Sequence, residues 1–269
     1  MRSCIRTMMV TLVVLIMTSG VYVHAGNIDP KKALQSVEAH PFQSDVLMSS
    51  VEALQEAMNQ TPEDPWVYLG LARAHLIDGY RSGSRFEADS FSSDSVDNAG
   101  RLVEHALKLD PELSRGYAMR ARLQILEGEY RKAWDTLNRA YELDRDDFNP
   151  WYLMGVLNRY YGEYEQSAKM LRKAASAAEH PYQTRWVFDQ RIDLAEAMDD
   201  PEAEEKIHRE VIATFPDRAH GYGNYGAFLL EQDRPDEAIE RFEMALDIQR
   251  YPLAEKQLDK ARRLAAESR

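Results

Sequence analysis

The sequence predicts an all-α fold, a solenoid built from stacked helix pairs. Three observations support this prediction: a 34-residue repeat, alternating large and small side chains within each repeat, and few helix-breaking residues. The 13 glycines and 11 prolines make up 24 of 269 residues, about 9% against an average of roughly 12%. This low glycine and proline content disfavours disordered, collagen-like and loop-rich β chains. The 44% of residues that are hydrophobic are enough to fill a core.

Alanines mark the second helices of four repeats. Ala106, Ala140 and Ala174 follow one another at intervals of 34 residues, and Ala245 ends another segment with the same pattern. A larger apolar residue stands three positions before each alanine, and a small residue stands seven positions before it. Side chains at this spacing share one helix face, where the small ones let a neighbouring helix approach closely.

Aromatic residues mark the first helices. Each is followed four positions later by a small residue: Trp66 by Gly70, Tyr117 by Ala121, Trp151 by Gly155 and Tyr222 by Gly226. One helix pair cannot bury its apolar face alone, so neighbouring pairs are expected to stack.

These repeats resemble the tetratricopeptide repeat (TPR) family. In the second repeat the family's positions are occupied by Tyr117, Ala121, Gly128, Tyr130, Ala133, Leu137 and Ala140. The resemblance implies a right-handed TPR solenoid of about five helix pairs at residues 63–252. A partial N-terminal repeat is expected within residues 26–62, and a C-terminal capping helix at residues 253–269.

The five repeats are expected at residues 63–113, 114–147, 148–181, 185–218 and 219–252. The fourth departs from the family pattern, because Glu204 and His208 stand where alanine and an aromatic residue are usual. Within the partial N-terminal repeat, residues 45–59 are expected to form a second helix.

Residues 1–25 have the features of a signal peptide. Arg2 and Arg6 precede an apolar run at residues 8–17. Val23 and Ala25 then supply the small or modest side chains that a signal peptidase accepts at the −3 and −1 positions. The run is shorter than the roughly 20 residues that a membrane span requires. We therefore expect cleavage after Ala25, a periplasmic protein and no membrane insertion afterwards. The alternative is an uncleaved segment that anchors the protein in the inner membrane.

Charge and composition exclude several classes of function. A net charge of −12 argues against nucleic-acid binding, which requires a basic face. The single cysteine, Cys4, excludes an internal disulfide. Residues 221–226 match the string GxGxxG, but the repeat already explains Tyr222 and Gly226, and no strand is expected before them. No pattern of histidines or acids matches a metal or catalytic motif, so we expect no enzyme, cofactor or metal.

The first repeat contains an insertion at residues 78–95, which is rich in serine, glycine and aspartate. Its aromatic residues are Tyr80, Phe86 and Phe91. One interpretation is a tolerated surface loop, since the entropy of loop closure rises slowly with length. The other is a flap whose three aromatic residues contact a partner or pack across the groove.

In the TPR family the first helices line a groove that binds partners. Carried over to this sequence, the resemblance implies the partner-binding residues Arg122, Tyr152, Arg159, Tyr160, Trp186, Asp189 and Asp193. We expect the acidic part of a peptide at Arg122 and Arg159, because arginine beside aromatic residues often dominates binding energy. The alternative is that Tyr152 and Tyr160 pack between repeats and the charges are solvated.

The resemblance implies a non-catalytic scaffold or adaptor that holds another envelope protein or a peptide from it, in the assembly of an envelope machine. Two alternatives stay open. One is a small-ligand-binding protein or enzyme with a site near the insertion in the first repeat. The other is a solenoid that associates with itself.

Overall fold

A computed structural model describes residues 29–41 and 43–267, and the expected signal peptide lies outside them. Within these ranges the chain forms thirteen α-helices, one short 3-10 helix at Ala88–Ser90 and no β-strand. The helices are α1 Pro30–Ala39, α2 Ser44–Gln60, α3 Pro65–Asp78, α4 Ser93–Leu109, α5 Ser114–Leu126, α6 Tyr130–Leu143, α7 Phe148–Tyr160, α8 Tyr164–Ser176, α9 Pro181–Ala197, α10 Pro201–Thr214, α11 Ala219–Glu231, α12 Pro235–Ile248 and α13 Pro252–Glu267.

The helices follow one another as six pairs, from α1 with α2 to α11 with α12, and α13 packs on the last pair. The predicted all-α fold of paired helices is confirmed. None of the thirteen described helices combines the length and the hydrophobicity that a membrane span requires. The chain divides into two compact units within α7, the first ending at Leu153 and the second beginning at Met154. They are called unit 1 and unit 2.

The N-terminal repeat is a complete helix pair, whereas the sequence indicated only its second helix. Helix α1 begins after Asp29, whose carboxylate accepts hydrogen bonds from the backbone N–H groups of Lys31 and Lys32 at 3.0 and 3.3 Å. Pro30 occupies the first helical position, where no intrahelical N–H is needed. This ten-residue helix was missed because it contains no aromatic residue, and so lacks the pair of an aromatic and a small residue that marks the other first helices.

The small and large residues of the second helices form the core of each unit. The residues of this pattern are at most 1% exposed: Ala99, Val103, Ala106, Ala133, Leu137, Ala140, Ser167, Leu171, Ala174, Ala238, Phe242 and Ala245. In unit 2 a Cβ added to Gly155 would lie 2.8 Å from Leu171 Cδ2. Ser167 donates a hydrogen bond to the Gly155 carbonyl at 2.8 Å. The small residues therefore permit the close approach that the spacing predicts.

Aromatic residues of the first helices in unit 1 also hold the preceding loops. The Tyr117 hydroxyl donates to the Pro111 carbonyl at 3.1 Å, and the Trp151 indole N–H donates to the Arg145 carbonyl at 3.1 Å. Each bond spans six residues, so it fixes the turn between repeats against the helix that follows.

Helix α9 begins at Pro181, four residues before the expected start of the fourth repeat. Gln183 Oε1 accepts the backbone N–H groups of Glu179 and His180 at 2.8 and 3.0 Å. These bonds hold the chain just before the helix, and proline suits its first turn. The observed start of α9 differs from the expected start of the fourth repeat because local capping, rather than the repeat period, sets where the helix begins.

Candidate functional site

The insertion forms an ordered excursion between α3 and α4 in unit 1. Its two ends are held together: the Arg81 N–H donates to the Ser90 carbonyl at 2.8 Å, and the Ser92 N–H donates to the Gly79 carbonyl at 2.9 Å. The Tyr80 and Phe91 rings meet edge to face at 5.5 Å. The chain therefore leaves and returns at one place, as in a compact Ω-loop.

Phe86 carries the insertion onto the first helices of unit 1. Its ring is 3% exposed and lies 4.5 Å from the guanidinium carbon of Arg122 and 6.1 Å from the Tyr152 ring. Arg122 Nη2 also donates to the Arg85 carbonyl at 2.9 Å. The insertion thus covers parts of α5 and α7 that sequence analysis assigned to a partner.

Arg122 and Tyr152 are interior residues of unit 1. Arg122 is 8% exposed and Tyr152 is 6% exposed, with the tyrosine ring stacked on Phe148 at 5.3 Å. Burial and, after it, the positive charge of Arg73 lower the pKa of Arg122 to about 9. In this structure Arg122 meets the insertion, so a partner would reach it only after the insertion moves.

A buried ion pair joins the first helices of unit 1. Glu38 of α1 is 2% exposed and pairs with Arg115 of α5, and its Oε1 lies 4.0 Å from Arg73 Nε of α3. The sequence does not predict this ion pair, because Arg115 lies 77 residues from Glu38 along the chain. The pair holds the N-terminal repeat in place.

In unit 2, Arg159 binds a carboxylate of the same unit. Its Nη2 lies 3.3 Å from Asp193 Oδ2, and its guanidinium carbon lies 4.9 Å from the Tyr160 ring. Gln190 Nε2 donates to the same Asp193 oxygen at 2.8 Å. Trp186 of α9 is 6% exposed and meets Tyr182 edge to face at 5.1 Å.

The residues predicted to bind a partner are therefore divided between the units. Arg122 and Tyr152 lie in unit 1, and the others lie in unit 2: Arg159, Tyr160, Trp186, Asp189 and Asp193. Asp189 is half-buried on α9. The joint basic section formed by Arg122 and Arg159 stays a prediction, while each guanidinium already has contacts within its own unit.

Three carboxylates of unit 2, here named the acidic cluster, are Glu196, Glu204 and Glu231. Glu196 lies at the end of α9, Glu231 ends α11, and Glu204 lies in the first turn of α10. Glu204 is 9% exposed. Burial raises its pKa to about 7, and the charges of Glu196 and Glu231 contribute. The pKa of Glu196 is also raised, first by desolvation and then by Asp193 and Glu231.

The neighbouring carboxylate, Glu205, has the opposite environment. It accepts hydrogen bonds from the Tyr225 hydroxyl at 2.7 Å and from Arg234 Nη1 at 2.8 Å, and it pairs with Arg209. These bonds, that of Arg234 first, lower the pKa of Glu205 to about 2. Arg234 and Arg209 thus stabilise the ionised form of Glu205. The pKa of Glu204 is raised instead, because that carboxyl is buried and lies near other carboxylates.

His208 lies beside Glu204 and is 4% exposed. Its Nε2 is 3.6 Å from Glu204 Oε1, and its ring stacks on Tyr225 at 5.6 Å and contacts Phe228 at 5.2 Å. Burial lowers the pKa of His208 to about 4, so the ring is neutral near pH 7. The sequence signal for both groups was the unusual Glu and His in the fourth repeat. In the described part of the chain, no three His, Cys, Asp or Glu side chains could hold a metal ion.

Comparisons with known proteins identify the fold. TTC0263, a TPR protein of Thermus thermophilus, is 14% identical, with a TM-score of 0.58 over 75% of this chain and 100% of that one. PilF of Pseudomonas aeruginosa is 16% identical, with a TM-score of 0.55 over 77% of this chain and 90% of that one. Yeast Tom70 is 16% identical, with a TM-score of 0.55 over 86% of this chain and 47% of its own length.

The chain has the TPR fold, as the residues of its repeats predict. No protein-family model matches the sequence. No curated protein matches it either. At these identities the likeness to solved structures shows the fold, and function must be argued from the residues of this chain.

Proposed function

We propose that this protein is a non-catalytic scaffold or adaptor of the periplasm, which holds another envelope protein against the first helices of unit 2. The observation that carries the proposal is a contrast between the two units. In unit 1 the insertion covers Arg122 and Tyr152, whereas α9 and α11 of unit 2 keep exposed polar side chains at Glu196, Asn224 and Glu231. Exposed charged and polar groups on rigid helices suit recognition of a protein surface.

The proposed location rests on residues 1–25, which have the order of charge, apolar run and small residues that signal peptides share. After cleavage at Ala25 the chain would contain no cysteine, because Cys4 is the only one. A role in assembling an envelope machine extends the resemblance to exported TPR proteins, and it defines where a partner should be sought.

Photo-crosslinking in the intact cell envelope tests the partner surface. A photoreactive residue replaces Asn224 on α11, and a matched variant carries it at Glu240, an exposed position on α12. We expect a discrete adduct with one envelope protein from position 224 and none from position 240. Equal adducts from both positions, or none from either, would contradict the proposed surface. An adduct between two copies of this chain would instead indicate self-association.

A further inference from the structure

We propose that the insertion of unit 1 is a displaceable cover, which occupies a second partner-binding surface until a partner segment replaces it. This surface, here named the covered face, consists of Arg122 on α5 and Tyr152 on α7. The segment that replaces the insertion carries an aromatic residue beside a carboxylate. This inference goes beyond the surface proposed for unit 2 and does not depend on it.

The insertion contacts the covered face as a bound peptide would, through one side chain and one backbone carbonyl. The Phe86 ring lies 4.5 Å from the guanidinium carbon of Arg122 and 6.1 Å from the Tyr152 ring. The carbonyl of the preceding residue, Arg85, accepts a hydrogen bond from Arg122 Nη2 at 2.9 Å. Aromatic side chains buried against arginine and tyrosine often dominate the binding energy between proteins. The insertion therefore shows which groups a partner segment would have to supply.

The tip of the insertion, residues 82–89, is attached to unit 1 mainly through Phe86. This ring is 3% exposed, whereas residues 82–83 and 87–89 on either side of it are exposed. A loop that buries few apolar groups opens more easily than the core beneath it. Withdrawal of the Phe86 ring would uncover Arg122 and Tyr152.

The ends of the insertion are joined to each other independently of Phe86, through the bond from the Arg81 N–H to the Ser90 carbonyl. The tip can therefore move while the two ends stay together. The closed tip also depends on Gly83, whose φ of +92° favours glycine. A Cβ at Gly83 would lie 2.8 Å from Ser90 Oγ. Substitution of this glycine thus offers a way to weaken the closed form without altering the covered face.

Electrostatics favours a carboxylate over the carbonyl that the insertion supplies to Arg122. Arg122 is 8% exposed, and the charge of Arg73 acts on it more strongly than that of Glu38, which pairs with Arg115. A bond from a guanidinium to a carboxylate adds Coulomb attraction to the hydrogen bond. A partner that places aspartate or glutamate where the Arg85 carbonyl lies would therefore compete with the insertion.

A short designed peptide tests this chemistry on the full-length protein. The probe is fluorescently labelled Gly-Ser-Asp-Phe-Glu-Ala-Gly with blocked ends, and fluorescence polarisation measures its affinity. The net charge of −12 repels such a peptide, so its binding would indicate a local cationic site. Two control peptides replace its phenylalanine by alanine or its aspartate by asparagine. We expect each to bind at least about fivefold more weakly, and equal affinities of the three peptides would overturn the inference.

Two glycine variants separate opening of the insertion from general destabilisation. Gly83→Ala strains the closed tip, whereas Gly128→Ala places a side chain at a φ of +74° just after α5, outside the insertion. Because only open molecules bind, the apparent affinity rises with the open fraction. We expect about fivefold tighter binding of the probe by Gly83→Ala and less than about twofold change in Gly128→Ala. Equal changes in the two variants, or no binding by Gly83→Ala, would overturn the inference.

Limited proteolysis shows whether the probe displaces the insertion. Cleavage by trypsin after Arg85 requires release of the tip, because Phe86 is buried and the Arg85 carbonyl is bonded to Arg122. The probe contains no lysine or arginine, so trypsin does not cleave it. We expect saturating probe to accelerate cleavage after Arg85 by about fivefold, measured by mass spectrometry, and the alanine control peptide to leave it unchanged. Binding without faster cleavage would place the probe elsewhere and overturn the inference.

Failure of this inference and failure of the proposed function are distinguishable. The photo-crosslinking at position 224 examines α11 of unit 2, whereas the peptide experiments examine α5 and α7 of unit 1. An adduct at position 224, together with no displacement of the insertion, would refute the covered face and leave the scaffold proposal intact.

Discussion

The ring of Phe86 lies 4.5 Å from the guanidinium carbon of Arg122, although the two residues belong to an insertion and to the next repeat. The contact resembles a cation–π interaction, which is stronger when the pair is shielded from water. Arg122 Nη2 also donates to the Arg85 carbonyl, so the insertion supplies both an apolar cover and a hydrogen-bond acceptor. The insertion is therefore part of the packing of unit 1.

Substitution of Phe86 by alanine tests this packing. Because the ring is 3% exposed, we expect Phe86→Ala to lower the free energy of unfolding by about 3 kcal/mol. Urea denaturation followed by circular dichroism measures the change. The control Glu87→Ala alters an exposed neighbour and should have little effect. Similar unfolding midpoints for the two variants would show that the insertion is only a tolerated loop.

Because the Glu38–Arg115 pair is buried, we expect a conservative substitution of Glu38 to destabilise the protein strongly. Glu38→Gln removes a buried carboxylate that faces Arg115 and Arg73, so the free energy of unfolding should fall by about 3 kcal/mol. Glu104→Gln is the matched control, because Glu104 binds Arg120 at 2.6 Å with 53% of its side chain exposed. It should cost less than about 1 kcal/mol. Equal losses would contradict the buried role of Glu38.

Glu204→Gln should stabilise unit 2 above neutral pH. The folded state raises the pKa of Glu204 from 4.5 to about 7, so the folded protein binds this proton more tightly than the unfolded chain does. Its stabilising contribution is present below pH 4.5 and is lost as pH rises through 7.

Glutamine stays neutral, so the variant should be more stable than the parent at pH 8 by on the order of 2 kcal/mol, with little difference at pH 4.5. Urea denaturation at both pH values gives the comparison. The control Glu202→Gln changes an exposed carboxylate on the same helix and should not reproduce it. If the difference in unfolding free energy between Glu204→Gln and the parent did not vary with pH, ionisation of the buried Glu204 carboxyl could not be its cause.

Two glycine substitutions test the close approach of helices. A Cβ at Gly226 would lie 2.9 Å from Phe242 Cε1, so Gly226→Ala should destabilise the protein by about 1–3 kcal/mol. A Cβ at Gly100, within helix α4, would meet no atom within 4 Å. Gly100→Ala should therefore stabilise by about 0.5–1 kcal/mol. Thermal unfolding compares the two, and shifts of the same sign would contradict the packing argument.

Local spacing was enough to predict the helix pairs, with the exception of the first helix, α1. Ala133, Leu137 and Ala140 lie on one face at helical spacing, and their almost complete burial follows from that pattern. The small residues Gly155 and Gly226 predicted where helices approach closely, because a side chain of ordinary size would not fit there. These features depend on residues within one repeat, so the chain order reveals them.

Contacts between distant residues could not be read from the chain order. The sequence marked Phe86, Arg122 and Arg159 as unusual, but only the tertiary structure placed Phe86 over Arg122 and paired Arg159 with Asp193. The charge state of Glu204 likewise depends on its burial and on carboxylates from two other helices. Burial and electrostatic interaction depend on neighbours in three dimensions, so only the tertiary structure determined the Phe86–Arg122 contact and the charge state of Glu204.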